Sequence, residues 1–198
     1  MTEKNCLLCK RKKLNSIKLK DTKINYCKNC DIQFLDKKII SKNYLKKYSK
    51  YRNKNTKLGK LRKNQYSIDS RHFQKHIEKG KILDIGCSTG DFVDKLSKNI
   101  KFDLIGIDPD KNAIKEAQSK SKKNSQFYCS DLINLKDENM FDAIIFRGSF
   151  QFLGHDLNKT MKKISKITHK NSKLFIYSLP NSDSFLYHLL KDNWNLFD

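Results

Sequence analysis

Two closely spaced cysteine pairs near the start of the sequence have the spacing of a metal site. The pattern is C-x2-C-x17-C-x2-C and involves Cys6, Cys9, Cys27 and Cys30. In a chain without signs of secretion, such pairs are typical of zinc ligands rather than disulfides. Four thiolates complete a tetrahedral zinc site and leave no position for a substrate, so we expect one structural zinc. The alternative, two redox-active pairs, lacks the strand–helix context of a thioredoxin-like motif.

The segment around these cysteines predicts a small β-structure. Apolar and polar residues alternate on both sides of the turn-prone Asp21, which is typical of a hairpin, and residues 31–34 could add a third strand. A segment this short cannot bury enough surface to fold alone, and zinc binding of about 10–16 kcal/mol apparent would supply the missing stability. We therefore expect residues 1–36 to form a zinc-ribbon module.

The second chemical feature is the stretch ILDIGCSTGDF at residues 82–92, in which Asp84 is followed by Gly86 and Gly90. A phosphate-binding P-loop needs a lysine and a hydroxyl residue after its glycines, and this stretch has neither. A dinucleotide-binding loop needs three glycines, and Asp91 would repel a pyrophosphate at the start of the following helix. The remaining ligand is a nucleoside with a cationic or zwitterionic tail.

Further polar residues follow the next apolar runs. Asp108 could accept both hydroxyls of a ribose. Asp131 could accept a hydrogen bond from an adenine amino group, or it could only cap a helix. Arg147 could bind an anionic substrate such as a sugar nucleotide, or pair with a carboxylate. His155 is the best candidate for a catalytic base because histidine titrates near neutrality, although a packing or capping role is more common.

These residues need a scaffold that brings them together. From residue 68 onward, apolar runs alternate with segments of helical periodicity, the first of which predicts a helix over residues 70–79 that Gly80 ends. Strands that are apolar on both faces and alternate with helices predict a parallel sheet between helices. In such a sheet, ligands bind at the carboxyl ends of the strands. The predicted fold class is therefore α/β, with a Rossmann-like domain over residues 68–198.

The order of the motifs resembles the class I S-adenosylmethionine-dependent methyltransferases. ILDIGCSTGDF is followed by GIDPD, CSDL and FDAIIF, and the resemblance covers residues 68–190. With the cysteine ribbon in front, it is similar to a subgroup in which several members methylate nucleotide sugars, other small metabolites or glycans. The resemblance implies S-adenosylmethionine as the cofactor. It also implies the residues that bind it: Asp84, Gly86, Cys87 and Gly90 at the methionine end, Asp108 at the ribose, and Asp131 with Leu132 at the adenine.

The sequence departs from this family after its fifth predicted strand, KLFIYSL. The family sheet continues with two more strands, whereas only a helix and a tail follow here. We therefore expect the last two strands to be missing and the fifth strand to be an exposed edge. Another subunit or an oligomer could cover that edge, and the shortened chain need not be active.

The formal net charge of +21 allows a nucleic-acid partner but does not require one. Lysine exceeds arginine and accompanies abundant asparagine and isoleucine, a composition that AT-rich genomes impose. In the basic helical connector of residues 37–67, Tyr44, Tyr48 and Tyr51 recur at helical intervals. Such a stripe can stack on bases, but it more often packs against its own protein. Gly59 is expected to loosen or end this helix.

Three functions are compatible with these observations. The first is a methyltransferase acting on a small molecule, a sugar nucleotide or a glycan precursor. The second is an RNA-directed methyltransferase, although the loop FRGSF lacks the Asp/Asn-Pro-Pro-aromatic pattern of enzymes that methylate amino groups of nucleic acids. The third is a non-catalytic cofactor-binding or partner protein. No apolar run is long enough to span a membrane and the start lacks an apolar leader, so we expect a cytoplasmic protein without a membrane partner.

Overall fold

The computed structural model describes residues 5–12, 14–18, 23–35, 57–136, 140–153 and 157–190. Its first part is a three-stranded antiparallel sheet, in the order β1 (Asn15–Lys18), β2 (Lys23–Cys27) and β3 (Ile32–Leu35). Cys27 at the end of β2 is paired with Ile32 at the start of β3, so the second cysteine pair lies at the turn between these strands. The hairpin and the third strand predicted from the sequence are both present.

The larger part of the structure alternates helices and strands. Its elements are α1 (Lys57–Gln74), β4 (Gly80–Ile85), α2 (Asp91–Leu96), β5 (Phe102–Asp108), α3 (Lys111–Ser119), β6 (Ser125–Cys129), β7 (Phe141–Arg147), a 3-10 turn (Phe150–Phe152), α4 (Leu157–Lys166), β8 (Thr168–Tyr177) and α5 (Phe185–Leu190). The five strands form one parallel sheet in the order β6-β5-β4-β7-β8. This is the predicted Rossmann-like α/β architecture, preceded by the small cysteine-bearing sheet.

The topological switch point of the sheet lies beside β4, and it determines where the candidate site is. The chain moves outward from β4 to β5 and β6 on one side, and then returns to place β7 and β8 on the other. The loops that follow β4 and β7 therefore diverge and open a crevice at the carboxyl ends of the strands. Within the described ranges, β8 is the last strand of the sheet and lies at its edge.

The sheet separates two hydrophobic cores. The core on one face includes Phe73 of α1 and Phe92 of α2, together with Ile82 and Ile145 of the two central strands. The core on the other face includes Ile164 of α4 among its members. The sheet is thus covered by helices on both faces, as its continuous apolar strands predicted. Among the described residues, no helix combines the length and the apolar character needed to cross a membrane.

Helix α1 differs from the sequence prediction. It begins at Lys57 and ends at Gln74, so the bounds predicted for a helix over residues 70–79 were wrong. The cause is tertiary packing, which overrides local propensity. Gly59 is buried, and Phe73 is completely buried in contact with phenylalanine rings of two strands. The connector helix that Gly59 was expected to loosen or end lies mostly outside the described residues, and that expectation stays a prediction.

Gly80 begins β4 rather than ending a helix. Its φ angle is +126°, and a Cβ atom at this position would overlap the carboxylate of Asp142. That carboxylate is fixed, because Oδ2 accepts the N–H of Lys81 at 2.7 Å and Oδ1 lies 2.9 Å from Nε2 of His169. A side chain at residue 80 would displace this junction between β4, β7 and β8.

Replacing Gly80 therefore tests the packing of the sheet. We expect Gly80→Ala to lower the free energy of unfolding by roughly 2–4 kcal/mol, because strain and overlap act together. Gly148→Ala is the matched control: its φ angle is +65°, but the nearest atom to a new Cβ is 3.9 Å away. The control should lose only about 1 kcal/mol. Urea unfolding of both variants measures the difference, and equal losses would contradict the packing of Gly80 against Asp142.

Candidate functional site

The glycine loop after β4 is shaped by contacts within the chain. The N–H groups of Gly86 and Cys87 donate to the carbonyl oxygen of Ile107 at 2.8 and 3.0 Å. Gly86 and Gly90 have φ angles of +80° and +73°. A Cβ atom at Gly86 would lie 2.6 Å from Cβ of Ser149. The loop therefore needs glycine at this position for its own packing, before any ligand is considered.

Gly90 is restricted in the same way and begins the next helix. It is the N-terminal cap residue of α2, and a Cβ atom there would lie 2.8 Å from the ring of Phe127. The loop is also held from α3: Nζ of Lys120 donates to the carbonyl oxygen of Thr89 at 2.9 Å and to Oδ1 of Asp91 at 3.0 Å. The backbone of the loop is thus fixed at both ends and in the middle.

Asp84 is a buried carboxylate beside this loop. Its exposed fraction is 3%, and its Oδ1 atom has no hydrogen-bond partner in the part of the chain that the structure describes. Burial raises the pKa of Asp84 from 3.8 to about 7, with Asp108 adding to the rise and Arg147 opposing it. A buried acceptor without a partner is costly, and such groups occur mainly where a ligand supplies the missing contact.

Asp108 lies on the same face of the sheet. Asp84 is in register with Gly106 of β5, and Asp108 follows two residues later, so both side chains leave the sheet on the same side. Oδ2 of Asp108 accepts the N–H of Ser88 at 2.9 Å, and Oδ1 accepts the N–H of Asp110 at 2.9 Å. These two bonds orient the carboxylate between the glycine loop and the start of α3.

Arg147 forms a buried ion pair with Asp69 of α1. Its Nε and Nη2 atoms donate to Oδ2 of Asp69 at 3.0 and 2.6 Å, and only 12% and 5% of the two side chains are exposed. The guanidinium carbon lies 4.2 Å from the ring centre of Tyr66 and 4.7 Å from that of Phe92. Of the two roles considered from the sequence, the structure contains the pairing with a carboxylate, and substrate binding by Arg147 stays a prediction.

Asp69 and Tyr66 were missed by the sequence analysis. One signal was available, because Asp69 is the single acidic residue in the otherwise basic or neutral helix α1. A lone acid three residues from an aromatic on the same helix face suggests a specific partner. That partner, Arg147, is 78 residues away along the chain and could not be named from the sequence.

The remaining predicted site residues are more loosely connected to the crevice. The carboxylate of Asp131 is exposed and accepts two bonds from Asn134, from its N–H at 2.8 Å and its side-chain nitrogen at 2.9 Å. Leu132 is buried in the core on the opposite face of the sheet from Asp84. Cys87 is buried, and burial raises its pKa well above the ordinary value. His155 lies outside the described residues.

The four cysteines of the small sheet converge on one point. All four Sγ atoms lie within 4.8 Å of one another, with Cys6 and Cys30 3.9 Å apart and Cys9 and Cys27 3.7 Å apart. Sulfurs at the corners of a tetrahedron around zinc, each about 2.3 Å from the ion, are about 3.8 Å apart. The donor set and its spacing therefore fit zinc.

The environments of Cys9 and Cys30 shift the pKa values of these two thiols in opposite directions. A backbone hydrogen bond from Arg11 lowers the pKa of Cys9 to about 6, and the hydrogen bond with Cys9 raises the pKa of Cys30 to about 11. Crowded sulfurs resist simultaneous ionisation unless a cation lies among them. Lys10 and Asp31, each directly after the second cysteine of a pair, both have positive φ angles of 60° and 49°. The two pairs thus form similar turns around the same point.

Comparisons with known proteins agree with this geometry. Residues 82–171 match the model of a methyltransferase domain family. A malonyl-[acyl-carrier protein] O-methyltransferase of Bacillus anthracis is 34% identical over 86 residues, which are 42% of this chain and 32% of that protein. A carboxy-S-adenosyl-L-methionine synthase of Helicobacter pylori is 40% identical over 68 residues, which are 32% of this chain and 28% of that protein.

A solved structure has the same fold. The plantazolicin methyltransferase BpumL, in complex with a triazolic desmethylPZN analog and SAH, aligns with a TM-score of 0.53 and 25% identity over 69% of this chain and 53% of that chain. The matches span about a third of the length of the curated relatives. The resemblance of this chain to the class I S-adenosylmethionine-dependent methyltransferases, inferred from the motifs, is confirmed by these matches.

The pKa of Asp84 yields a test of its burial. Between pH 3.8 and about 7 the folded chain keeps a proton that the unfolded chain has released, so the stability contribution of Asp84 falls as the pH rises through this window. The side chain introduced by Asp84→Asn does not titrate. The difference in the free energy of unfolding between this variant and the unaltered chain should therefore change by roughly 2–4 kcal/mol in favour of the variant from pH 5 to pH 8. Urea unfolding at both pH values measures this change.

The control for this test is Asp103→Asn, which removes an exposed carboxylate from the same sheet. Its stability relative to the unaltered chain should not change between the two pH values. If the relative stability of Asp84→Asn were also the same at both pH values, the raised pKa of Asp84 would be contradicted.

Proposed function

We propose that the chain is an S-adenosylmethionine-dependent methyltransferase that acts on a small molecule, a sugar nucleotide or a glycan precursor. The observation that carries the proposal is the buried, unpartnered oxygen of Asp84 beside the glycine loop, on the same sheet face as Asp108. The carboxylate of Asp84 is suited to a cationic tail, and that of Asp108 to the hydroxyl groups of a nucleoside. The crevice between them lies where parallel sheets bind ligands.

The residues of the crevice divide into two groups by what they would hold. S-adenosylmethionine supplies a methyl group on a positively charged sulfur. Asp84, with the backbone of Gly86, Cys87 and Gly90, would hold its methionine end. Asp108 would accept its ribose hydroxyls, because a carboxylate offers up to about four acceptor positions and two backbone N–H groups already orient it.

The adenine and the acceptor are assigned by the family resemblance. Asp131 and Leu132 would lie at the adenine, and His155 would act as the base if the acceptor loses a proton. Arg147 would contact an anionic acceptor by way of the crevice that it shares with Asp84. The relatives' names describe different acceptors, so the acceptor class rests on the family resemblance that includes the cysteine ribbon. We divide the chain into a ribbon at 1–36, a connector at 37–67 and a cofactor domain at 68–198, with α1 crossing the last junction.

RNA is the second candidate for the acceptor, and the charge of the ribbon supports it. The described ribbon residues include six basic side chains, all exposed: Lys10, Arg11, Lys12, Lys18, Lys23 and Lys28. One acidic residue, Asp31, lies in the same described stretch. A gel shift with RNA that weakens steeply as salt increases would favour RNA over a small acceptor, since phosphate contacts release counterions.

Cofactor binding is tested by removing the proposed ribose contact. Calorimetry should show that the chain binds S-adenosylmethionine and S-adenosylhomocysteine, and that Asp108→Ala binds neither measurably. Each hydrogen bond that a ligand donates to a charged acceptor contributes about 1.5–3 kcal/mol, so the loss of two such bonds is enough to abolish a micromolar interaction. Asp103→Ala on the exposed part of β5 is the control and should bind as the unaltered chain does. Unchanged affinity in Asp108→Ala would contradict the ribose assignment.

We also propose that the cysteine cluster holds one structural zinc. Metal analysis of the purified chain should find one zinc for each chain, and Cys6→Ser should lose it and unfold the ribbon, because apo zinc modules of this size lack a sufficient core. Cys129→Ser is the matched control, since Cys129 is an exposed cysteine outside the cluster. A natively folded chain that contains no zinc would contradict the proposal.

A further inference from the structure

The crevice contains an unusual set of buried charges. Arg147 is in register with Tyr177 of β8, and Asp84 is in register with Ile145, two residues before Arg147. Successive residues of a strand alternate between faces, so Asp84 and Arg147 leave the sheet on the same side and at neighbouring positions. Asp69 approaches them from α1, which covers this face. Asp84, Asp69 and Arg147 are thus largely buried on the same face of the sheet.

The guanidinium is committed to Asp69. Two hydrogen bonds from the guanidinium go to one carboxylate oxygen of Asp69, and the other oxygen accepts the side-chain N–H of Gln65 at 2.7 Å. The rings of Tyr66 and Phe92 pack against the same guanidinium. Arg147 therefore acts on Asp84 through its electric field, while Oδ1 of Asp84 lacks a hydrogen-bond partner among the described residues.

This arrangement has an electrostatic consequence. When both carboxylates are ionised, the three groups together carry one negative charge, and that charge is located at Asp84. A guanidinium and a carboxylate on the same buried face attract each other strongly in a space of low dielectric. The hydrogen bonds to Asp69 and the two aromatic rings keep Arg147 in a different place.

We propose that Asp69 is a specificity-determining positioning residue of the cofactor site, because it holds Arg147 away from Asp84 and so keeps that carboxylate available for a cationic amino-acid tail. This inference rests on the proposed function and assigns α1 a part in it. The helix would decide which nucleosides the crevice accepts without contacting the adenosine. In Asp69→Asn the side chain at position 69 no longer carries the charge that attracts Arg147. The guanidinium is then expected to turn to Asp84 and to occupy the place that the cationic tail of the ligand would take.

Calorimetry with two ligands tests the inference. S-adenosylmethionine carries the cationic tail, whereas 5′-methylthioadenosine has the same nucleoside with a neutral thioether sulfur and no amino-acid tail. We expect Asp69→Asn to bind S-adenosylmethionine about tenfold or more weakly and 5′-methylthioadenosine within about twofold of the unaltered chain. The double variant Asp69→Asn/Arg147→Met removes the competing cation and should recover S-adenosylmethionine binding to within about threefold. Asp103→Asn is the control for loss of a carboxylate.

Each other outcome is informative. Unchanged S-adenosylmethionine binding in Asp69→Asn overturns the inference, and so does an equal loss of both ligands, which would indicate a structural role. If the double variant binds 5′-methylthioadenosine normally but S-adenosylmethionine weakly, Arg147 itself holds the tail and the inference is wrong. Should Asp69→Asn fail to fold by circular dichroism, the double variant decides alone, since it has no buried unpaired charge from this pair. An unaltered chain that binds neither ligand would instead overturn the proposed function.

Discussion

The candidate site depends on the carboxylate of Asp84, near the end of the central strand β4, because its Oδ1 atom has no hydrogen-bond partner among the described residues. Asp84 is almost completely buried and lacks a hydrogen-bond partner for one oxygen, and its pKa is raised. Its ionised form therefore costs stability in the folded chain. A chain that placed asparagine or a small apolar residue there would avoid this cost. Arg147 relieves this cost only in part and only through its charge, because it is hydrogen-bonded to Asp69, and the glycine loop is bonded to Ile107 and Lys120. The site is thus organised around a charge that is left for a ligand.

The positions of Asp84 and Asp108 could be predicted from the sequence because they depend on local patterns. Each follows a short apolar run, and parallel strands bring such positions to the same edge of the sheet. The cysteine cluster was predictable for the same reason, since the spacing within each pair already determines a turn. In both cases, the prediction needed only the order of elements and not their packing.

The rest of the site depends on contacts between distant residues. The Arg147–Asp69 pair joins positions 78 residues apart, and it forms because α1 packs on the face of the sheet from which Arg147 extends. The family resemblance assigns Gly86 and Gly90 to the methionine end of the cofactor, which stays a prediction. The structure adds that side chains of Ser149 and Phe127 already occupy the space where a Cβ atom would lie. Packing of this kind cannot be inferred from one residue's neighbours in the sequence.

The ribbon also contacts helix α5, at a place that the sequence did not indicate. The hydroxyl of Tyr187 in α5 donates to Oε1 of Gln33 in β3 at 2.7 Å, across 154 residues of sequence. The small sheet is therefore joined to helix α5 of the larger part by at least one hydrogen bond.

The central claim is that Asp84 meets the positive charge of the ligand. The most direct measurement is the number of protons exchanged when S-adenosylmethionine binds at pH 6, obtained by calorimetry in two buffers with different ionisation enthalpies. Because the pKa of Asp84 is about 7 without ligand and a cation lowers it, binding should release close to one proton, and Asp84→Asn should release almost none. Binding that releases no proton in the unaltered chain would contradict the claim.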